Sequence, residues 1–408
     1  EKGTMSIRMS ACLEFCQCKG LLLHLPCLPG SCRTRACFSL FLFFALSAEP
    51  TDSCQAHAPS LMLLLTVMLI GALAFVQVYS VQAILPLLLR DLQATVVQGG
   101  YMVGATVLAV ALVSPFMGMV SDAVGRKHLI VASVFFLGLA TAALSLAGNV
   151  QQLVLLRFLQ GLAVPGISVV LIAYLGEEFQ GRSMTRAMSF YVAGTVLGGF
   201  LGRFVMGHAS VVLPWRQAFL LLALPNLLGA LLVAGVLPAS RRFVPNPNFQ
   251  SGLQMLGQHL RNRAVREACA LGLCVLFSLV GCFTFVNLHL AAAPYRLSTA
   301  QLGNVFAVYL LGVLITPLAG KLLGRLGFRT TMLLALCVSL CGLLLTLLPS
   351  VPAVIGALAI MSSGVFITQS ATISFIAHAV PQGRSLASGL YYMAYYSGGF
   401  IGAWLCGL

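Results

Sequence analysis

The chain has 408 residues, of which 59% are hydrophobic and only 8% are charged, and its formal net charge is +14. This composition excludes a soluble globular protein and is typical of a polytopic helical membrane protein whose solvent is the lipid bilayer. The basic residues lie scattered in short segments and form no Lys/Arg-rich run. The positive charge therefore indicates membrane topology and not a nucleic-acid partner.

Residues 1–60 differ from the rest of the chain. They contain seven of the thirteen cysteines, and the sequence starts at Glu1. The cysteines lack the paired C-x-x-C spacing of a zinc site, so no metal is predicted. An apolar run of about eleven residues, 38–48, is too short to span a bilayer and has the size of a signal-peptide core. We interpret residues 1–60 as an extension, disordered or spuriously translated, without a role in activity.

From residue 61 onward, apolar segments recur at the length of about 20 residues that a hydrocarbon core requires. Eleven membrane-spanning helices are predicted, at 62–88, 97–117, 129–148, 152–174, 187–209, 216–237, 267–291, 300–320, 331–348, 353–377 and 385–408. A polar, basic linker separates the first six from the last five. We therefore predict an all-α membrane protein with an N-terminal bundle at 61–237, a cytoplasmic linker at 238–266 and a C-terminal bundle at 267–408. The last bundle is expected to lack its final helix.

The first predicted helix carries polar and aromatic residues on one face and ends in an acid. Tyr79 and Gln82 follow Phe75 at helical spacing, and Asp91 lies at the outer end. Tyr79 and Gln82 are candidates for a substrate cavity. Asp91 is the only carboxylate near the outer half of the first bundle, so it is a candidate partner for Arg157; a hydrated interfacial Asp is the alternative.

A short charged loop joins the second and third predicted helices. It reads Gly-Met-Val-Ser-Asp-Ala-Val-Gly-Arg-Lys and contains Gly118, Asp122, Gly125, Arg126 and Lys127. The glycines suit a tight exit from one helix into the next, and Asp122 suits a helix N-terminus. A loop this polar lies in water.

The distribution of basic residues places this loop in the cytoplasm. From residue 61, thirteen Lys or Arg residues fall in alternate loops, and five do not: Arg90, Arg157, Arg203, Arg216 and Arg296. Cytoplasmic loops carry the excess of positive charge. The loop also has a weaker internal copy, in which Gly320, Gly324, Gly327 and Arg329 fall at the offsets of Gly118, Asp122, Gly125 and Lys127.

The fourth predicted helix contains a charge inside the membrane. Arg157 lies about five residues from its outer end, and Gln160, Gly161 and Ser168 share its helical face. A charge at this depth costs on the order of 3 kcal/mol, so it indicates a functional position. We expect this polar stripe to line a water-filled cavity; snorkelling of Arg157 to the interface is the alternative.

The remaining candidates lie on later helices. Gly194, Gly198 and Gly202 on the fifth helix form a small-residue ladder for close helix packing. Asn287 and His289 on the seventh helix, Gln369 on the tenth, and Tyr392 and Tyr395 on the eleventh are candidates for substrate contact, with interhelical hydrogen bonding as the alternative. A proton carrier needs a titratable group, which selects Asp91, His289 and less plausibly His378 as coupling candidates.

These motifs resemble those of the major facilitator superfamily. The loop Gly-x-x-x-Asp-x-x-Gly-Arg-Lys is similar to the family's signature loop, and Arg157-Phe-Leu-Gln-Gly161 to its fourth-helix motif. The glycine ladder partly matches its antiporter motif, although Gly199 stands where that motif has Pro and Arg203 replaces its last Gly. Residues 202–219 and 294–303 resemble the bacterial sugar-efflux and drug-efflux branch, of the arabinose-efflux type.

The resemblance implies a fold of two six-helix bundles and transport by alternating access. It implies a conformational latch in which Asp122 sits on the N-terminus of the eleventh helix near Ser385, while Arg126 pairs with Glu177 or Glu178. It also implies proton coupling through Arg157. No feature of the membrane-spanning sequence resembles an enzyme's catalytic set.

We therefore expect a monomeric, multi-pass inner-membrane transporter without a cofactor, which exports a sugar or drug-like compound with protons. Uptake or facilitated diffusion, and a non-transporting receptor or scaffold, are the alternatives.

Overall fold

The computed structural model describes residues 60–179, 181–240, 257–379 and 384–408. Its helices are α1 Leu61–Val78, α2 Leu85–Asp91, α3 Val96–Val124, α4 Arg126–Ala143, α5 Val150–Glu178, α6 Gly181–Val212, α7 Trp215–Val236, α8 Arg263–Ala291, α9 Thr299–Val305, α10 Leu311–Leu345, α11 Val351–Ala379 and α12 Arg384–Leu405. The described residues contain no strand, and nine of their helices are long and apolar enough to cross a membrane. The predicted all-α membrane fold is confirmed. The expectations for the N-terminal extension and for most of the linker lie outside the described residues.

The first predicted helix is not continuous. After α1 ends at Val78, a 3₁₀ turn at Ser80–Ile84 leads into α2, where Pro86 stands in the first turn. Pro suits that position because its missing N–H has no helical partner there. A 3₁₀ turn, Phe306–Leu310, likewise follows α9 and leads into α10. Both bundles therefore contain an interrupted helix.

The internal repeat is visible in the backbone. Gly125 joins α3 to α4 with φ 99°, and Gly327 breaks α10 with φ 74°. These left-handed conformations favour glycine. The start of α3 and the start of α9 also match, since Thr95 with Gln98 and Ser298 with Gln301 both form capping boxes. The repeat offset read from the sequence thus corresponds to equivalent turns in the two halves.

The glycine ladder packs α6 tightly against α1. A Cβ atom on Gly194, Gly198 or Gly202 would lie 2.0, 2.3 or 2.0 Å from a main-chain oxygen of α1. Glycine is therefore required at all three positions for this approach, which supports their assignment to helix packing. The second half has an equivalent contact that the sequence analysis did not single out: Cβ atoms on Gly398 and Gly402 would lie 2.0 and 2.3 Å from main-chain oxygens of α8.

The two halves of the chain meet along three lines. Helix α3 packs against α12, α6 packs against α9 and the turn that follows it, and α8 touches the turn after α1. A Cβ on Gly100 would lie 2.2 Å from the Ala403 oxygen, and one on Gly207 would lie 2.5 Å from the Thr299 oxygen. These close approaches lie at the N-terminal end of α3 and the C-terminal end of α6. By the charge rule this is the outer side, which is therefore closed.

Candidate functional site

A buried arginine lies between the two halves near the outer side. Arg203 is 1% exposed, and its guanidinium carbon lies 4.6 Å from the ring centre of Tyr79, 4.4 Å from that of Phe306 and 4.5 Å from that of Tyr309. Its Nε donates to Gln82 Oε1 at 2.8 Å. We call these five residues the Arg203 cluster. Tyr79 and Gln82 come from the first half of the chain, and Phe306 and Tyr309 from the second.

The Arg203 cluster also bonds to α8. Gln82 Nε2 donates to Thr284 Oγ1 at 2.8 Å, and Asn287 Nδ2 donates to the main-chain oxygen of Gln82 at 3.2 Å. Gln82, Thr284 and Asn287 are at most 1% exposed. The prediction that Tyr79, Gln82 and Asn287 face the region between the halves is consistent with this arrangement. In this conformation they form a closed seal and not an open cavity.

Tyrosines extend the cluster toward α12. Tyr395 and Tyr396 are each 6% exposed, and their rings pack edge to face with their centres 5.3 Å apart. Both lie near Tyr79, and Tyr395 lies also near Tyr309. The ring centre of Tyr392, which is partly exposed, lies 6.4 Å from that of Tyr395. The phenol rings of α12 therefore continue the aromatic packing that begins at Tyr79 and Tyr309.

Arg157 has a different environment from the one expected. It is completely buried, and its Nε donates to the Met102 main-chain oxygen at 3.1 Å. Its Nη1 donates to the Gln77 oxygen at 2.9 Å and to Gln160 Oε1, and its Nη2 donates to the Val78 oxygen. Gln77 and Val78 are the last residues of α1, so the guanidinium satisfies carbonyl groups that the helix end leaves without partners.

The expectation of a water-lined polar stripe is therefore wrong for Arg157 and Gln160 in this conformation. Gln160 is also fully buried and donates to Thr141 Oγ1 at 2.6 Å. Ser168 is 9% exposed and donates to the Val164 main-chain oxygen. These polar groups are paired inside the first half because unpaired polar groups in a membrane interior are costly.

Asp91 is not the partner of Arg157. Its carboxylate accepts from Trp215 Nε1 at 2.6 Å and lies 3.6 Å from Arg216 Nη1, at the outer start of α7. His289 is exposed near the end of α8, where its ring packs at 5.4 Å from that of Tyr295. The three coupling candidates therefore occupy separate places. Gln369 on α11 is partly exposed.

The signature loop ties α4 to α5. Arg126, 7% exposed, forms a two-pronged ion pair with Glu177, at 3.2 Å from Nε and 2.6 Å from Nη2, and it also donates to Ser121 Oγ. Glu177 is one of the two partners expected. Gly125 has the backbone conformation that the loop requires, whereas a Cβ on Gly118 would meet nothing within 4 Å.

The second expected contact of the latch, between Asp122 and the helix end near Ser385, is not described by the structure. The side chains of Asp122 and Ser385 lie outside the described residues, and Lys127 is partly exposed at the start of α4.

One groove of about 490 Å³ runs between α4 and α5 on the membrane-facing side, lined by apolar residues such as Phe136, Leu139 and Leu159. These three side chains are exposed in the absence of lipid. The groove shares no residue with the Arg203 cluster. Within the described residues, no group of His, Cys, Asp and Glu has the arrangement of a metal site.

Comparison with known proteins agrees with this architecture. The sequence profile of the Major Facilitator Superfamily matches residues 67–403. The chain belongs to the major facilitator superfamily. An uncharacterized transporter of Buchnera aphidicola subsp. Schizaphis graminum is 29% identical over 340 residues, which are 83% of this chain and 82% of the relative. The inner membrane transport protein YnfM of Escherichia coli is 28% identical over 363 residues, 88% of this chain and 87% of that protein.

The fold is also similar to that of a solved family member. A bacterial homolog of the human lysosomal transporter Spinster, in an inward-facing and unoccupied conformation, superposes with a TM-score of 0.69 at 17% identity, covering 84% of this chain and 80% of that one. This major facilitator protein is thus a multi-pass membrane transporter and not an enzyme.

Sequence reasoning missed Arg203 as a site residue. It counted Arg203 with the outer charges and noted it only as a departure from the antiporter motif. The signal was present, since Arg203 stands inside an apolar helix, nine residues or about 13 Å before the end of α6. By the rule applied to Arg157, an arginine at that depth is a functional candidate.

Proposed function

We propose that this chain is a secondary active transporter of the inner membrane, a monomer that exports a small molecule by alternating access with protons as the coupling ion. The observation that supports it is the Arg203 cluster. A charged side chain held between the two halves is expensive in a membrane, and a charge at such a place marks a functional position by default. A receptor or scaffold would join its halves with apolar residues.

The two halves would rock about the region between them. The outer side is closed by the Arg203 cluster and by the contacts of α3 with α12 and of α6 with α9. Opening that side requires the Gln82 to Thr284 hydrogen bond to break. On the cytoplasmic side, the ion pair of Arg126 and Glu177 holds the signature loop in place. We propose that Asp122 completes a latch there with the N-terminus of α12 when the cytoplasmic side closes.

Proton coupling and export rest on the resemblance to the family, whose antiporter motif this chain matches only in part. Asp91 and His289 are the titratable candidates, and both lie at the outer side, where protons enter. A second candidate function is facilitated diffusion. It is favoured by the position of the carboxylates: after residue 60 these are Asp91, Asp122, Glu177, Glu178 and Glu267, and all lie near helix ends.

Flux in inverted membrane vesicles tests the proposal. A panel of radiolabelled sugars, aromatic acids and drug-like compounds is offered to vesicles with an acidic interior, with and without a protonophore. Accumulation above the outside concentration that the protonophore abolishes supports proton-coupled export. Equilibration that ignores the proton gradient supports facilitated diffusion instead. Absence of flux for every compound in vesicles with correctly inserted protein contradicts both.

Asp122→Asn tests the latch within the same assay. The substitution keeps the side-chain size and removes the charge that would favour a helix N-terminus, a contribution of up to about 2 kcal/mol. Transport is expected to fall by about an order of magnitude with unchanged protein levels. An unchanged rate would remove Asp122 from the latch.

A further inference from the structure

The membrane interior of this chain carries positive charge without a matching acid. Arg157 and Arg203 are both fully enclosed, whereas the described carboxylates lie near helix ends. An uncompensated buried charge is strongly unfavourable, so each guanidinium must find compensation elsewhere. The two arginines find it in different ways.

Arg157 is compensated by its own half of the chain. Four of the five N–H groups of its guanidinium donate to three main-chain oxygens and to Gln160. All of these acceptors belong to α1, α3 and α5. Arg157 is therefore a structural fastener of the first half and has little capacity left for a ligand.

Arg203 is compensated much less completely. Its acceptors are Gln82 Oε1, the Gly199 main-chain oxygen at 2.6 Å and the side chain of Tyr309. Much of its remaining surface faces the rings of Tyr79, Phe306 and Tyr309. An aromatic face attracts a cation but supplies no full negative charge. The guanidinium fork thus keeps its preference for a planar, two-oxygen anion.

The surroundings of Arg203 suit a flat ring. Tyr79 and Tyr309 place phenol rings from both halves against it, and Tyr395 and Tyr396 lie near Tyr79; all four are less than 9% exposed. Aromatic walls stack on aromatic ligands, while phenol hydroxyls donate to ligand oxygens. A positive charge within this wall excludes ligand cations by repulsion.

We propose that the Arg203 cluster and the adjacent tyrosines bind an aromatic carboxylate, with Arg203 holding the carboxylate and the tyrosines holding the ring. This inference rests on the proposed transport function and names its substrate class. Because Arg203 is 1% exposed, the ligand reaches it only after the two halves have moved apart. Binding the carboxylate replaces Gln82 Oε1 as an acceptor of Arg203, so that Gln82 is then held by Thr284 and Asn287 of the second half.

Thermal unfolding of the full-length protein in detergent tests binding without requiring transport. The probes are benzoate, naphthoate and biphenylcarboxylate, each compared with its uncharged amide, and benzylamine. For at least one acid, the wild type is expected to respond at a concentration at least tenfold lower than for the matching amide, with no response to benzylamine. Equal responses to acid and amide, or no response to any acid, overturn the proposal.

Variants then identify the anchoring residue. Arg203→Gln is expected to weaken the response to the acid at least tenfold and to leave the weak response to the amide unchanged. Arg203→Lys retains part of the response. The matched control is Arg263→Gln, which removes the same charge from a side chain that is 87% exposed. A full response of Arg203→Gln to the acid overturns the assignment, and if that variant does not fold, the wild-type comparison of acid with amide decides.

The vesicle assay separates this inference from the proposed function. Transport of sugars or cations with no transport of the acids leaves the transporter standing and refutes the substrate class. Binding of an acid by the wild type with no flux of any compound supports the site and refutes the transport proposal.

Discussion

Replacing Arg157 should damage the fold of the first half more than it damages coupling. Arg157→Met removes one charged donor from each of the main-chain oxygens of Gln77, Val78 and Met102, although Gln77 still accepts from Ser80 Oγ and Met102 lies inside α3. A hydrogen bond from a charged donor contributes about 1.5–3 kcal/mol, and the relief from burying a charge offsets part of the sum. We expect the free energy of unfolding to fall by about 3 kcal/mol, which corresponds to a fall of roughly 4 °C in the thermal midpoint for a protein of this size.

Arg157→Lys distinguishes the two roles. Lysine keeps the charge but has three donors instead of five and hydrates more strongly, so it cannot reach all the oxygens that Arg157 satisfies. We expect Arg157→Lys to be about as unstable as Arg157→Met in a thermal unfolding assay of purified protein, with Arg263→Gln unchanged. Wild-type stability of both variants, combined with loss of proton-driven flux alone, would refute the structural role.

Three further predictions follow from the packing and the charges. Gly198→Ala should destabilise the protein by about 1–3 kcal/mol in the same assay because its Cβ would lie 2.3 Å from the Ala72 oxygen. The control Gly235→Ala, whose Cβ would meet nothing within 4 Å, should leave the stability unchanged. Equal effects of the two substitutions would contradict the tight contact at Gly198. A double-mutant cycle of Arg126→Gln and Glu177→Gln should give a coupling energy of about 1–2 kcal/mol, between exposed and buried pairs; additive effects would show that the pair does not act together. If the substrate is a monoanion exchanged for one proton, two charges move per cycle and its export should respond to a potassium-set membrane potential by about 4.6 kcal/mol per 100 mV, against about 2.3 kcal/mol for uncoupled diffusion; potential-independent flux would show that a compensating charge moves with it.

Most membrane-spanning helices were predictable because bilayer thickness imposes one strong constraint on length and hydropathy, whereas the 3₁₀ turns after α1 and α9 were not predicted. The repeat of Gly125 in Gly327 was readable for the same reason, since a left-handed turn restricts the residue type. The pairing partners of the charged side chains were not predictable from the sequence. Asp91 pairs with the start of α7 instead of Arg157, and that choice depends on how far apart the helices place the side chains.

The position of Arg203 shows a second limit. A count of charges by loop assigns each arginine to the nearest helix end and ignores depth, so it placed a fully buried residue among the outer charges. The aromatic rings around Arg203 come from helices more than a hundred residues apart in sequence. No local pattern reveals that meeting, because it is produced by the packing of one half on the other.

The interruption between α1 and α2 divides the first predicted helix into two parts that are bonded to different halves of the protein. Its lower part is clamped to its own half through Gln77 and Val78, while Gln82, only a few residues above, is bonded to the opposite half. Between these attachment points the backbone is a 3₁₀ turn and not a continuous α-helix. The segment can therefore bend as a hinge: once the Gln82 to Thr284 bond breaks, the upper piece can change its angle while the lower piece stays anchored, and the hydrogen bonds inside the long helices are kept.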